Sequence, residues 1–502
     1  MASLKKLAGQ TVWYGLSNIA AKFLNQLLTP IVTRILNMPS GMADYGRFGI
    51  LMSYVSFLNV IFTYGMETAY FRFSNKSGDR KKLFETSFSS LLVSSLIFGL
   101  ALIIFRTPLA KFTGVTLHPE YINWCVYIIA IDTMAVIPFA RLRQEERPKK
   151  YAFVRVAGII VNISLTIYFL LWCPSHLSIN PADKFAAWYR SYDNTGFMLL
   201  ANLAASTVTF LLLAKEWISF RFKFDKKLWF ELLAYSAPMV LIGLGGMVNE
   251  TMDRIMLEKL SPVTPQLAEI QVAIYNANYK ISIFVTLFIN AFRMSAEPFF
   301  FSQAEDKNAP KTYARVMKWF VIVLCFAFLS TALFLDVWKL YVGKTYYEGL
   351  KVVPILLLAN VCLGIYYNLS VWYKLTNKMH YGMYITFFGA AITLLINFTF
   401  IPKYGMMACA WATLAAYGSM MIVSYLLGQK YFPVPYNRKK IIAYLVTMLL
   451  LFFTEKLVMA MTDKLFIRLA TASLLMYGFV RLIAFVEKKE LKKMPFVGKL
   501  IN

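Results

Sequence analysis

The chain has 502 residues, 59% of them apolar, with 52 Lys and Arg against 26 Asp and Glu. The apolar residues fall in blocks of about 20, enough to cross ~30 Å of hydrocarbon at 1.5 Å per residue, which excludes a soluble globular protein. The basic residues cluster in alternate loops, a pattern that sets membrane orientation, so no nucleic-acid role is expected.

About fourteen spans are predicted by the 20-residue criterion, centred near Phe23, Val55, Ser94, Ile129, Val161, Leu203, Leu244, Val285, Leu324, Ala359, Ala391, Ala416, Met448 and Leu474. The first apolar stretch, residues 8–36, is too long for a signal-peptide core and lacks a small-residue cleavage site, so it is read as a retained span. Within it Lys22, Gln26, Thr29 and Thr33 share one helix face, Asn25 flanks them, and Arg34 lies near the end. Arg47 and Glu67 lie towards opposite ends of the second span. The fourth carries Asp132, the seventh Asn249, Glu250, Asp253 and Arg254, and the eighth Tyr279, Lys280, Thr286, Asn290, Arg293 and Glu297. Glu250 and Arg254 are spaced i, i+4 and are expected to neutralise each other.

Charge inside hydrocarbon costs roughly 3 kcal/mol or more, so these groups must turn from lipid. The spacing Tyr45, Glu67, Phe71 recurs as Tyr275, Glu297, Phe301. Arg34 and Arg254 sit in similar contexts, and residues 201–205 echo 412–416. These echoes predict two similar six-span halves related by an axis along the membrane normal. The expected units are a six-helix lobe at 1–216, a second at 217–430, and a helix hairpin with a basic cytoplasmic tail at 431–502.

Basic loops at 72–82, 141–150, 215–227, 307–318 and 430–440 place both termini in the cytoplasm. The five cysteines have no CxxC spacing, the three histidines are scattered, and no GxxxxGK[ST] loop is present. No metal, cofactor or ATP-driven step is expected. The energy is expected from a gradient, the membrane potential or the substrate's own supply; Na+ or H+ coupling is one option, with Asp132 as its candidate site.

The cations within the spans, Lys22, Lys280 and Arg293 foremost, suit an anionic substrate such as a pyrophosphate, which Arg binds through its planar fork and Lys as a point charge. Arg34, Arg47, Arg254, Asn25 and Asn290 complete the candidate binding set. The competing reading is internal ion pairs (Arg293 with Glu297, Arg47 with Glu67) or snorkelling of Arg34, Arg47 and Arg254 to the outer interface. Glu67, Glu297, Glu250 and Asp253 are read as gate or lobe-contact residues.

The stretches Tyr235-Ser236-Ala237-Pro238, Asp253-Arg254-Ile255-Met256, Tyr275-Asn276-Ala277-Asn278-Tyr279-Lys280, Ala296-Glu297-Pro298-Phe299 and Ile401-Pro402-Lys403-Tyr404-Gly405 carry a family likeness. Over residues 1–430 the chain resembles the multidrug/oligosaccharidyl-lipid/polysaccharide exporter superfamily, most closely its polysaccharide-flippase branch. The resemblance implies a two-lobed all-α bundle, a central cavity and alternating access. It implies a multi-pass protein of the bacterial inner membrane, with an undecaprenyl-pyrophosphate-linked oligosaccharide as cargo for surface polysaccharide synthesis.

The last two spans look like the fourteen-helix plan of lipid II flippases, but the first span has Thr33-Arg34-Ile35 where that family is expected to carry an Arg-Asp pair. Lipid II is therefore the second cargo. A cation-coupled drug exporter and a membrane glycan enzyme are the other readings; the cationic balance counts against the first and short outer loops against the second. Membrane lipids, a polysaccharide polymerase or glycosyltransferases are the expected partners of a monomer.

Overall fold

The computed structural model describes residues 23–74, 79–179, 184–303, 306, 308–376 and 378–492, apart from the side chains at 184, 295, 297, 298 and 302. The helices that organise it are α1 (Leu28–Ile35), α2 (Pro39–Thr63), α3 (Met66–Ser74), α4 (Arg80–Ile104), α5 (Glu120–Gln144), α6 (Pro148–Ile167) and α7 (Asn194–Leu212). They continue as α8 (Lys226–Leu260), α9 (Pro265–Ser302), α10 (Ala309–Ala332), α11 (Val353–Leu369), α12 (Met379–Tyr404) and α13 (Met406–Tyr431), then α14 (Arg438–Met461) and α15 (Leu465–Val486). Among the described residues 13 helices are long and apolar enough to cross a membrane. The protein is a polytopic all-α membrane protein. Much of the predicted first span lies outside the described residues, which hold only its latter part.

Local chemistry sets where these helices begin. The side chains of Asp79, Asp193, Asp225 and Asn437 each accept a backbone N–H of the first turn that follows them, at Lys82, Gly196, Leu228 and Lys440. Proline opens α2, α6 and α9, where its fixed φ suits a first turn. The predicted second span is broken: Tyr64 and Gly65 adopt φ of 29° and 69°, and the helix restarts at Met66. A side chain at Gly65 would meet Ser236 O and Met239 Cβ at 3.2 Å, so this turn favours glycine both by conformation and by space.

The first lobe packs α4 on α5 and α7 on α5 and α6; the second packs α8 on α12, and α13 on α11 and α12. The lobes meet where α2 crosses α9 and α8. α9 is the most buried of the spans. Tyr45 and Tyr275, which open the two copies of the repeated spacing, are both buried in the core that the lobes share. Gly46 lies directly against the backbone of Glu269, where a Cβ would stand 1.9 Å from the carbonyl oxygen. These crossing ends are the ones remote from the basic loops.

The hairpin α14–α15 leans on α10 and is pinned by charge. Lys318 Nζ reaches Glu487 Oε2 at 2.6 Å and Glu490 Oε1 at 2.8 Å, while Lys440 Nζ and Tyr444 Oη hold Glu487 Oε1 at 2.7 and 2.5 Å. Burial alone would raise the Glu487 carboxyl, yet the hydrogen bonds from Lys318, Lys440 and Tyr444 hold it below its ordinary range.

Candidate functional site: a cationic cavity between the lobes

Two adjoining hollows occupy the middle of the bundle. One, of 330 Å3, lies between the lobes, with Ser53, Ser56, Asn162 and Asn202 on the first-lobe side and Arg254 and Asn276 on the other. The second, of 740 Å3, is set in the second lobe and includes Asn290, Arg293, Lys374 and the rings of Tyr366, Tyr367 and Tyr417. Asn25, Glu250, Tyr279, Lys280 and Ile283 wall both, so the hollows form one cavity. Among its described lining residues, Arg254, Lys280, Arg293 and Lys374 stand against the single acid Glu250.

Three of these cations are held differently. Arg254 is buried, donating Nη1 to Asp253 Oδ1 at 3.0 Å and to the Glu250 carbonyl at 2.5 Å, and Nε to Asn276 Oδ1 at 3.2 Å, with its guanidinium 4.4 Å from the Tyr279 ring centre. It is an internally paired charge. Arg293 lies 4.8 Å from the Tyr367 ring centre, a cation–π contact. Lys280 has no hydrogen bond or ion pair among the described residues, and the charges that act on it are those of Arg254 and Glu250. Lys280 and Arg293 thus stand in the cavity wall with tyrosine rings beside them, one an ammonium and the other a guanidinium.

Several sequence expectations are corrected here. The Arg254 side chain does not pair with the Glu250 carboxylate, and it does not snorkel; Asp253 is its acid partner, and the Glu250 carboxylate is left on the cavity wall. Asp253 also accepts from Tyr275 Oη at 2.5 Å within the second lobe, so it is not a contact between lobes. Glu67 pairs with Arg143 of α5 in its own lobe, not with Arg47, because it belongs to the separate helix α3 about 30 Å along the chain axis from Arg47. Arg34 is exposed and donates to the carbonyls of Pro30 and Leu340, outside the cavity. Asp132 faces Ser206 and Arg155 inside the first lobe and lines neither hollow. Asn25, Asn290, Lys280 and Arg293 do lie in the walls, whereas Lys22 and the Glu297 side chain fall outside the described residues.

Arg47 is also outside the cavity and has a different role. Its Nε and Nη2 donate to the two carboxylate oxygens of Glu269, each at 2.9 Å, and its Nη1 to Asp193 Oδ2 at 2.8 Å. Asp44 lies at 3.4 Å and is itself held by Asn194 Nδ2 at 2.7 Å. Nearby, Tyr346 Oη donates to the Leu36 carbonyl, the Gly343 amide to Thr33 Oγ1, and Tyr341 Oη to the Gln26 carbonyl. Together these bonds tie the two lobes at the end remote from the basic loops. Sequence reasoning missed Asp44, Asp193 and Glu269; their signal was a complementary set of charges at the outer ends of three spans. It also missed Lys374 and the tyrosines, which no stripe on a single helix reveals.

A family model described as polysaccharide biosynthesis protein matches residues 7–304, more than half of the chain. The chain belongs to that family. Among solved structures, this family member is similar to a lipid II flippase, MurJ, in an inward closed conformation (TM-score 0.73, 13% identity, 96% of this chain and 100% of that one). It is also similar to an inward-facing MATE family multidrug resistance transporter of the MOP superfamily (0.61, 16%, 86% and 95%) and to a Vibrio cholerae MATE transporter (0.55, 14%, 85% and 96%). No curated protein sequence matches the chain. The polysaccharide biosynthesis family member thus has the MOP superfamily fold, a fold of membrane transporters.

Proposed function

We infer that the protein is a flippase that moves an undecaprenyl-pyrophosphate-linked oligosaccharide from the cytoplasmic to the periplasmic leaflet, for surface polysaccharide of the O-antigen or capsule type. The observation that carries this reading is the cavity wall formed by Lys280, Arg293 and Lys374 beside tyrosine rings. Cations neutralise a pyrophosphate, and aromatic faces and amide side chains suit a sugar. In this reading the basic loops and both termini face the cytoplasm of a bacterial inner membrane, and the Arg47–Glu269 contact is the closed outer gate of an alternating-access cycle. A Na+ or H+ gradient supplies the drive, and a glycosyltransferase and a polymerase act before and after the transfer.

The test is glycan delivery to the outer leaflet by a deletion strain carrying the paired substitution Lys280→Gln and Arg293→Gln. Delivery is expected to stop while the protein remains in the membrane; unchanged delivery overturns the assignment. A second reading, lipid II as cargo, is favoured by the similarity to a lipid II flippase across the helix pair as well as the lobes. Mass measurement of lipid co-purified with the protein separates the two: a disaccharide-pentapeptide mass supports lipid II, and a repeat-unit mass supports the surface glycan.

A further inference from the structure

The basic ends of α4 and α5 enclose another polar hollow, separate from the central cavity. It has a volume of 420 Å3, with Tyr70, Arg80, Arg141 and Gln144 in its wall. Lys81 and Glu85 belong both to it and to an adjoining hollow of 530 Å3. Glu85 is 4% exposed, and its Oε1 is buried with no hydrogen-bond partner. Lys81 and Glu85 are one turn apart, the spacing at which a helical ion pair ordinarily closes. Among the described residues no ion pair joins them, and both line the hollow.

Two other bases nearby are engaged elsewhere, and Lys223 lines the adjoining hollow with no ion pair to Glu85 among the described residues. Lys82 pairs with Asp225, and Arg141 donates to Glu145 Oε1 at 2.7 Å and to the Glu216 carbonyl at 2.9 Å. Gln144 accepts from Tyr70 Oη at 2.8 Å, but its Nε2 is buried with no partner. A buried carboxylate with no cation is strongly unfavourable, so Glu85 would hold a cationic donor that entered the hollow. A bare metal ion fits poorly: no cluster of three His, Cys, Asp or Glu is present among the described residues, and the exposed cations Arg80 and Lys81 stand at the rim. A bare anion would meet Glu85. An ammonium joined to a phosphate by a short spacer satisfies both ends at once.

The hollow lies at the charged ends of α4 and α5, beyond their apolar residues, the part of a span at which headgroups are met. We propose that it binds the phosphoethanolamine headgroup of a membrane lipid, with the ammonium on Glu85 and the phosphate on Arg80 and Lys81. A choline headgroup has no N–H to donate to Glu85, and a glycerol headgroup carries no positive charge. This site is independent of the cargo in the central cavity.

The experiment is native mass spectrometry of the full-length protein in detergent, offered phosphatidylethanolamine, phosphatidylcholine and phosphatidylglycerol with identical acyl chains. Phosphatidylethanolamine is expected to be retained about tenfold or more over either of the others, as one charge-assisted hydrogen bond provides. Glu85→Gln should reduce its retention to that of phosphatidylcholine. Arg80→Gln changes an exposed side chain and should lower retention severalfold, which keeps the test readable if Glu85→Gln does not fold. Equal retention of the three lipids, or full retention by folded Glu85→Gln or by Arg80→Gln, overturns the proposal. Displacement of the lipid by equimolar soluble phosphoethanolamine also overturns it, since the acyl chains would then add nothing.

Discussion

Arg47 and Glu269 face each other across the two lobes as a bidentate pair, Nε to Oε1 and Nη2 to Oε2, each at 2.9 Å. Arg47 alone serves three carboxylates there, so its removal leaves Glu269, Asp193 and Asp44 crowded without a counter-charge. Breaking a fully buried pair costs about 3–5 kcal/mol, and the 23% exposure of the Arg47 side chain reduces this to about 2 kcal/mol. Arg47→Gln should therefore open the end remote from the basic loops. A cysteine at Ser53, on the cavity wall, should become reactive to an impermeant maleimide added from that side, and the exchange Arg47→Glu with Glu269→Arg should restore protection. Unaltered labelling in Arg47→Gln would remove the gate role.

Gly46 tests the same contact without touching charge. A Cβ there would stand 1.9 Å from the Glu269 carbonyl oxygen, so Gly46→Ala must push α2 from α9. Overpacking of this kind costs about 1–3 kcal/mol. The expected result is a lower thermal midpoint in detergent together with increased labelling at Ser53. A lower midpoint with the cavity still protected would mean that the strain is absorbed within one lobe.

Lys280 and Lys374 should separate by how each is held. A charge-assisted hydrogen bond contributes about 1.5–3 kcal/mol, so Lys280→Gln is expected to lower retention of the lipid-linked precursor about tenfold or more, and Lys280→Arg to keep most of it. Lys374→Gln should show a smaller fall, because Lys374 lines only the second hollow. Retention assays on purified protein decide between these outcomes.

The hairpin should depend on acidity. Glu487 lies below its ordinary value of 4.5 in the folded protein, so its contribution is fully present at neutral pH. The contribution is lost as pH falls below that ordinary value and through the lower folded one. Thermal unfolding followed between pH 7 and 3 should show this acid loss, and Glu487→Gln should flatten it while destabilising the protein at pH 7. Protease cleavage in the 430–440 loop provides a local readout.

Much of this architecture was legible in the sequence, for physical reasons that also explain what was not. Span number follows from the length needed to cross hydrocarbon, and the paired spacing from Tyr45 and Tyr275 pointed to the two helices that now cross between lobes. Lys280 and Arg293 were legible because polar side chains at helical intervals must turn from lipid. Partner choice was not legible: Glu67 joins Arg143 and Arg47 joins Glu269 because of how helices cross, which spacing along one helix does not encode. The break at Tyr64–Gly65 had a sequence signal in its glycine, but the continuous apolar run around it read as one span. Lys374 and the cavity tyrosines required knowing which spans surround the same space.

That break has a mechanical consequence. The segment before it carries Arg47 and the contact with α9, while the segment after it carries Glu67, fixed to Arg143. A rigid rod of this length would transmit every tilt of its outer end to its inner end. Two rods joined at Gly65 do not, so one mouth of the pathway can be unlocked while the ion pair at the other stays intact.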